Sequence, residues 1–208
     1  MTTVGIYIFD DAEVLDVAGP YEVFTTASRM HERDNPAADP LFSVFMVGRA
    51  RSPVRARAGL IFTPDHQLSD APPIDVLIIP GGVVAAELER ADVIDWIARS
   101  APKARITASV CTGAFLLAKA GLLDGKTATT HWEDIDDLQR SFPSVKVVGD
   151  VRWVDEGSIV TSGGISAGID MSLHLVERLE TSELARRTAR QMDFDWCRAS
   201  VMVNPPRQ

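Results

Sequence analysis

The sequence predicts an α/β fold, with a mostly parallel central sheet covered by helices on both faces. Three observations predict it. Short continuous apolar runs, among them Val4–Phe9, Phe42–Val47, Val76–Ile79 and Ile106–Val110, read as strands buried on both faces. Stretches with helical spacing alternate with these runs, the pattern of a parallel sheet. The chain has 208 residues, 46% of them hydrophobic, enough for one substantial core.

Val4-Gly5-Ile6-Tyr7-Ile8-Phe9 is the first strand, and Asp10 to Gly19 the loop after it. Pro20 suits the first turn of a helix that continues through Val23, Phe24 and Ala27. His31 to Pro40 is polar, holds two prolines and reads as a loop before the strand Phe42–Val47. Arg49 to Arg57 carries four arginines among a proline, alanines and other small residues. It reads as a solvated hairpin or loop, with Leu60–Thr63 as a short strand behind it. Val76–Ile79 is a central strand closed by Pro80-Gly81-Gly82, and one helix is expected from Ala85 to Ser100. Ile106–Val110 feeds Cys111. A helix over Gly113–Ala120 follows, capped by Gly121.

Thr127–Thr130 is a further strand and Glu133–Ser141 an amphipathic helix. Val145–Val154 and Ser158–Thr161 are late strands joined by Asp155-Glu156-Gly157. Ala167–Leu179 and Ser182–Met192 are helical. No repeat or interdomain linker interrupts this order. A single domain over 1–208 is expected, its core at about 4–192, with 193–208 a tail that packs on the surface or on a partner.

The net charge is −8 and no Lys/Arg cluster stands out, so nucleic acid is not expected as a direct partner. No run of about 18 apolar residues and no signal-peptide pattern is visible, so no membrane segment and a cytoplasmic location are expected. Cys111 and Cys197 lie far apart and do not suggest a disulfide framework. His31, His66, His131 and His174 are scattered, so no metal site and no cofactor is expected.

The chemistry concentrates in Ser109-Val110-Cys111-Thr112-Gly113-Ala114. A cysteine at a sharp strand-to-helix turn is displayed like the nucleophile of an elbow. The helix start behind it favours an anion, so the Cys111 thiol is expected to have a lowered pKa and to exist partly as thiolate. Open α/β sheets bind ligands outside the carboxyl ends of their strands. Asp16, Gly81-Gly82 and Cys111 all sit at such ends and converge if their strands are neighbours. The Gly82 and Thr112 backbone N–H groups are candidates for an anion hole beside Gly81. Asp16, between Leu15 and Val17, is expected to have a raised pKa and to shuttle a proton to the sulfur, unless it only caps the helix near Pro20. His131 either approaches Cys111 from the side or makes a structural hydrogen bond. Asp170 reads as a first-turn acid favoured by the helix dipole, Cys197 as an incidental thiol. Asp92, Asp95, Asp134, Asp136 and Asp137 read as solvated helix faces.

These motifs resemble the ThiJ/PfpI superfamily, relatives of class I glutamine amidotransferases. The resemblance rests on Leu15–Pro20, Ile79-Pro80-Gly81-Gly82, Ser109–Gly113, Thr129-Thr130-His131-Trp132 and Ser162–Asp170. Within it the chain looks most like isocyanide hydratases and the amidotransferase-like domains of AraC-type regulators. The resemblance implies a flavodoxin-like three-layer sandwich and a homodimer with its site near the interface. It implies that Cys111 attacks an isocyanide as a small electrophilic substrate, that Asp16 protonates the thioimidate, and that water releases an N-formamide. Thr112 would contribute its N–H and hydroxyl. Trp132, otherwise core or dimer packing, and Ile165, otherwise core, would be pocket walls.

Thr112 stands where superfamily proteases carry histidine, which argues against peptidase activity. The absence of a late His-x-Glu pair argues against glutamine amidotransferase activity. Two alternatives remain. One is a ligand- or redox-sensing domain of regulator type, against which stands the lack of room for a helix-turn-helix pair after residue 200. The other is glyoxalase- or deglycase-like chemistry on a 2-oxoaldehyde.

Overall fold

The computed structural model describes residues 1–198 and the backbone of 201–202. The first apolar run forms β1 (Thr2–Ile8), whose last five residues are all buried. In chain order follow α1 (Val14–Asp34), β2 (Phe42–Gly48), β3 (Val54–Arg55), β4 (Ile61–Phe62), β5 (His66–Gln67) and β6 (Val76–Ile79). Next come α2 (Ala85–Leu88), α3 (Ala91–Ser100), β7 (Ile106–Val110), α4 (Gly113–Lys119), β8 (Thr127–Ala128), α5 (Ile135–Ser141) and β9 (Lys146–Val147). The chain ends with β10 (Trp153–Asp155), β11 (Ile159–Ser162), α6 (Ala167–Leu179), α7 (Ser182–Gln191) and β12 (Val201–Met202).

Among the described residues the central sheet has eight strands in the order β12-β10-β11-β7-β6-β1-β2-β5. All its pairings are parallel except β10 with β11. The helices cover the sheet in two groups: α1 packs with α6 and α7, and α2 and α3 pack with α4. Leu77, Ile78 and Ile79 of β6 are fully buried. Each such side chain contributes about 1.5–3 kcal/mol by leaving water.

Several elements differ from the sequence expectation. α1 begins at Val14, so Pro20 lies inside the helix and Asp16 in its first turn rather than in a loop. Pro20 is buried on the core-facing side. Packing there offsets the helix hydrogen bond that a proline cannot make. The helix expected over 85–100 breaks in two at Arg90, which is extended (φ −90°, ψ 93°) while its guanidinium pairs with Glu87. β8 pairs with β9 outside the central sheet, and the late strand over 145–154 divides into β9 and β10 around Asp150 (φ 57°). Of the hairpin or loop expected around the arginines, β3 and β4 form a short hairpin at its end.

The two edge strands β5 and β12, each of two residues, were not anticipated. β12 shows that part of the expected tail joins the sheet beside β10. Just before it, the Trp196 indole donates to the Asp170 carbonyl (3.2 Å) and the Cys197 N–H to Asp170 Oδ1 (2.8 Å). Residues 199–200 and 203–208 of that tail lie outside the described residues.

Candidate active site

β1 has β2 on one side and β6 on the other. The chain leaves β1 in one direction and later returns on the opposite one, which opens a crevice at the carboxyl ends of the strands. β1, β6 and β7 are neighbours, so Asp16, Gly81-Gly82 and Cys111 come together there. Backbone contacts zip the loops after β1 and β6 to each other. Glu13 N–H donates to Gly81 O (2.8 Å) and Val83 N–H to Asp11 O (3.1 Å). Gly82 has φ +133°, and a Cβ there would lie 2.3 Å from Asp11 O.

Cys111 is 6% exposed and sits on a left-handed turn (φ 56°). A residue with a Cβ in that conformation costs on the order of 1–3 kcal/mol and needs bracing. The braces come from three parts of the chain. Its N–H is shared between Ser162 O and Gly163 O, both at 3.2 Å. Its carbonyl accepts from the Thr130 hydroxyl (2.9 Å) and from Ala114 N–H (3.3 Å). Behind it, a Cβ on Gly113 would lie 2.2 Å from Ile79 O, so only glycine lets α4 lean this closely on β6.

Asp16 is fully buried. Its Oδ2 accepts the Gly81 N–H at 2.9 Å. Its Oδ1 makes no well-formed hydrogen bond, although the Cys111 thiol and the Ile165 N–H lie near enough to favour the carboxylate slightly. Burial dominates and raises its pKa from 3.8 to about 7, and Glu13 adds to the rise. The raised value matches the sequence expectation.

The expectation for Cys111 is overturned. Burial, and next the charge of Asp16, push its thiol from 9.0 up to about 12. Contacts from the Thr112 N–H and hydroxyl lower it by less than burial raises it. The resting sulfur is therefore a thiol beside a half-ionised carboxylate, not a preformed thiolate. Loss of water around the sulfur outweighs the field of a seven-residue helix.

Thr112 acts mainly as a fastener. Its hydroxyl donates to Gly82 O and accepts from Gly82 N–H, both at 2.9 Å. The Gly81 and Gly82 donors are thus engaged by Asp16 and Thr112, and the Thr112 N–H is the donor facing the sulfur.

The His131 ring is bound to its own turn. Its Nδ1 accepts from Glu133 N–H (3.3 Å) and lies 3.5 Å from Asp134 Oδ2. A Cβ on Gly164 would meet its Cδ2 at 2.1 Å, so that glycine is what admits the ring. Trp132, expected as core or dimer packing, is 76% exposed and so is not core, and Ile165, expected as core, is 40% exposed. Trp132 follows the turn out past the ring of His131. Ile165 is lifted out on a second left-handed residue (φ 55°). Asp134 is also not a solvated face. It is half-buried, burial raises its pKa, and its charge reaches Cys111.

The Thr130 hydroxyl, the Ser162–Gly163 carbonyls and Glu13 escaped the sequence reading. Thr130 had a signal there in the Thr-Thr-His-Trp motif, as did Ser162 and Gly163 in the Ser162–Asp170 segment; Glu13 had none. Among the described residues no group of three or more His, Cys, Asp or Glu is placed to hold a metal ion. No helix among them is long and apolar enough to cross a membrane.

A family model described as the DJ-1/PfpI family matches residues 2–178. The chain is 35% identical over 192 residues to an isonitrile hydratase of Pseudomonas putida, covering 92% of this chain and 78% of that one. It is 30% identical over 183 residues to the HTH-type transcriptional regulator GbdR of Pseudomonas aeruginosa, covering 88% of this chain. The chain spans about half of that regulator's length (48%). A ThiJ/PfpI family structure from Pseudomonas syringae superposes with a TM-score of 0.82 at 25% identity, covering 100% of this chain and 78% of that one. Drosophila melanogaster DJ-1beta shares the fold, with a TM-score of 0.78 at 21% identity over 94% of this chain and 99% of that one.

Proposed function

This chain belongs to the DJ-1/PfpI family, and from that premise we propose that it hydrates isocyanides to N-formamides through Cys111 and Asp16. The observation that carries the reading is the fully buried Asp16 carboxyl set against the Cys111 thiol, with a pKa brought to about 7. A group that ionises near the working pH suits both halves of a proton shuttle. The similarity to an isonitrile hydratase supports the same chemistry.

In the first step the Asp16 carboxylate takes the thiol proton while sulfur bonds to the terminal carbon of R–N≡C. The carboxylic acid so formed returns that proton to the same carbon, giving the thioimidate R–N=CH–S–Cys111. Water then adds to this carbon, a proton passes to nitrogen, and the C–S bond breaks. R–NH–CHO leaves and the sulfur regains its proton through Asp16. The Thr112 N–H stabilises charge on sulfur, and Gly81 N–H holds Asp16 in register. Thr112 and Gly82 fix the loop that carries both. His131, Trp132 and Ile165 form the rim, and a homodimer would close over it. Because the resting sulfur is a thiol, Asp16 serves first as base.

The test is conversion of an alkyl or aryl isocyanide to its formamide by the purified chain. Wild type should turn over and Cys111→Ala should not. Equal rates for the two proteins would end this reading. The similarity to GbdR favours a second one, a ligand-sensing domain. Reversible binding of an electrophilic small molecule without turnover would select it.

A further inference from the structure

We propose that Arg152 is a positioning residue for the Cys111–Asp16 pair, acting as a clamp on the Gly163–Ser166 loop and locked in place by Asp170. The inference rests on the reading of Cys111 and Asp16 as the reacting pair.

Arg152 grips this loop at both ends. Its main-chain carbonyl accepts the Gly163 N–H at 2.9 Å, and its guanidinium donates to Ser166 Oγ at 3.1 Å. Between these points the loop touches both reacting groups. The Gly163 carbonyl accepts the Cys111 N–H, and the Ile165 N–H faces the Asp16 carboxyl. Ile165 is a β-branched residue at φ 55°, a conformation that persists only where its neighbours impose it.

The guanidinium is itself fixed. Nε and Nη2 reach Asp170 Oδ2 at 2.7 and 2.5 Å, and Asp170 is 1% exposed. The other oxygen of Asp170 takes the Cys197 N–H, and its main-chain carbonyl takes the Trp196 indole. The planar fork of arginine serves Asp170 and Ser166 together, a geometry that a lysine ammonium cannot reproduce.

The test uses the full-length chain and reads alkylation of Cys111 by iodoacetamide against pH, with the modified residue identified by mass spectrometry. This readout does not require an isocyanide, so an inactive wild type would sink the proposed reaction and leave the clamp open to test. Ser166→Ala removes one contact and keeps the buried ion pair, and Arg152→Lys keeps the charge.

Losing the loop's register withdraws the Ile165 N–H from Asp16 and disfavours its carboxylate. Alkylation that uses Asp16 as its base has its midpoint near the Asp16 pKa of about 7, which should then move up by about half a pH unit, and the rate at pH 7 should fall about twofold. Where turnover is measured, kcat should fall about tenfold with KM little changed, because a misplaced reacting pair loses orientation rather than substrate binding. Glu13 beside Asp16, and Asp134 near Cys111, remain in both variants and serve as the fixed electrostatic background.

Thermal unfolding of Ser166→Ala should match wild type, which separates positioning from folding. A wild-type alkylation midpoint and rate in both variants would overturn the proposal. So would a shift confined to a variant whose Tm has dropped.

Discussion

Asp16→Asn should turn a pH-dependent liability into a pH-independent one. Folding raises the Asp16 pKa from 3.8 to about 7 by burying the carboxyl. Between those values the folded chain keeps a proton that the unfolded chain has released, so rising pH favours unfolding. At about 1.4 kcal/mol per unit, the full penalty above pH 7 is about 4 kcal/mol. Roughly 2–3 kcal/mol of it develops between pH 5 and 8.

Asparagine fills the same space and can still accept the Gly81 N–H, but carries no charge. Its amide nitrogen takes the place of Oδ1, which has no well-formed partner, at a cost of about 1–3 kcal/mol that does not vary with pH. The assay is urea unfolding of both proteins at a series of pH values. The quantity to read is the difference between them, in which shared pH effects cancel. Relative to wild type, Asp16→Asn should gain about 2–3 kcal/mol from pH 5 to pH 8. A difference that stays flat across this range would show that Asp16 ionises in the folded chain as it does in water. Its role as a neutral-pH base would fall with it.

The same pKa sets the activity profile: kcat/KM for an isocyanide should rise with pH through about 7, following ionisation of Asp16, and fixed-pH initial rates check this. Asp155→Asn should destabilise the fold by about 3–5 kcal/mol at neutral pH in urea unfolding, since it strips the buried partner from Arg178 (2.9 Å) and His174 (2.7 Å). Those contacts hold the Asp155 pKa down, so its contribution is lost as pH falls through that lowered value and the deficit should shrink below about pH 4. Gly113→Ala should cost about 2–3 kcal/mol in the same assay, because the added methyl meets main-chain oxygens that cannot move aside alone.

β6, β7 and α6 could be read from the residues to their ends. Continuous apolar runs stopped by Pro80-Gly81 and by Cys111 leave little freedom in where a buried strand ends. α1 was harder. Pro20 is a good first-turn residue by local preference, and only its burial against the core explains its place inside the helix. The break at Arg90 was invisible because a side-chain pairing with Glu87, not a breaker residue, accompanies it.

The site followed the same division. Asp16, Gly81, Gly82 and Cys111 were legible because strand ends in this architecture meet on one edge. The braces on Cys111 from Thr130, Ser162 and Gly163 depend on long-range contacts that no local pattern encodes. The thiol pKa failed for a related reason. A helix start beside the sulfur is a local cue, whereas its desolvation is a property of the assembled fold.

The shared Cys111 N–H has a consequence for how the protein is made. Its two acceptors, Ser162 O at the end of β11 and Gly163 O just beyond it, leave the ribosome well after the cysteine. β11, which carries Ser162 to the site, pairs directly with β7. Until that pairing forms, the elbow lacks the acceptors that hold its left-handed turn, and the flexible nascent turn has no reason to favour it. The sulfur is also still in water and away from Asp16, so it behaves as an ordinary cysteine. The left-handed turn at Cys111 is therefore fixed late, by residues of the C-terminal third of the chain, and the burial of its sulfur is completed with it.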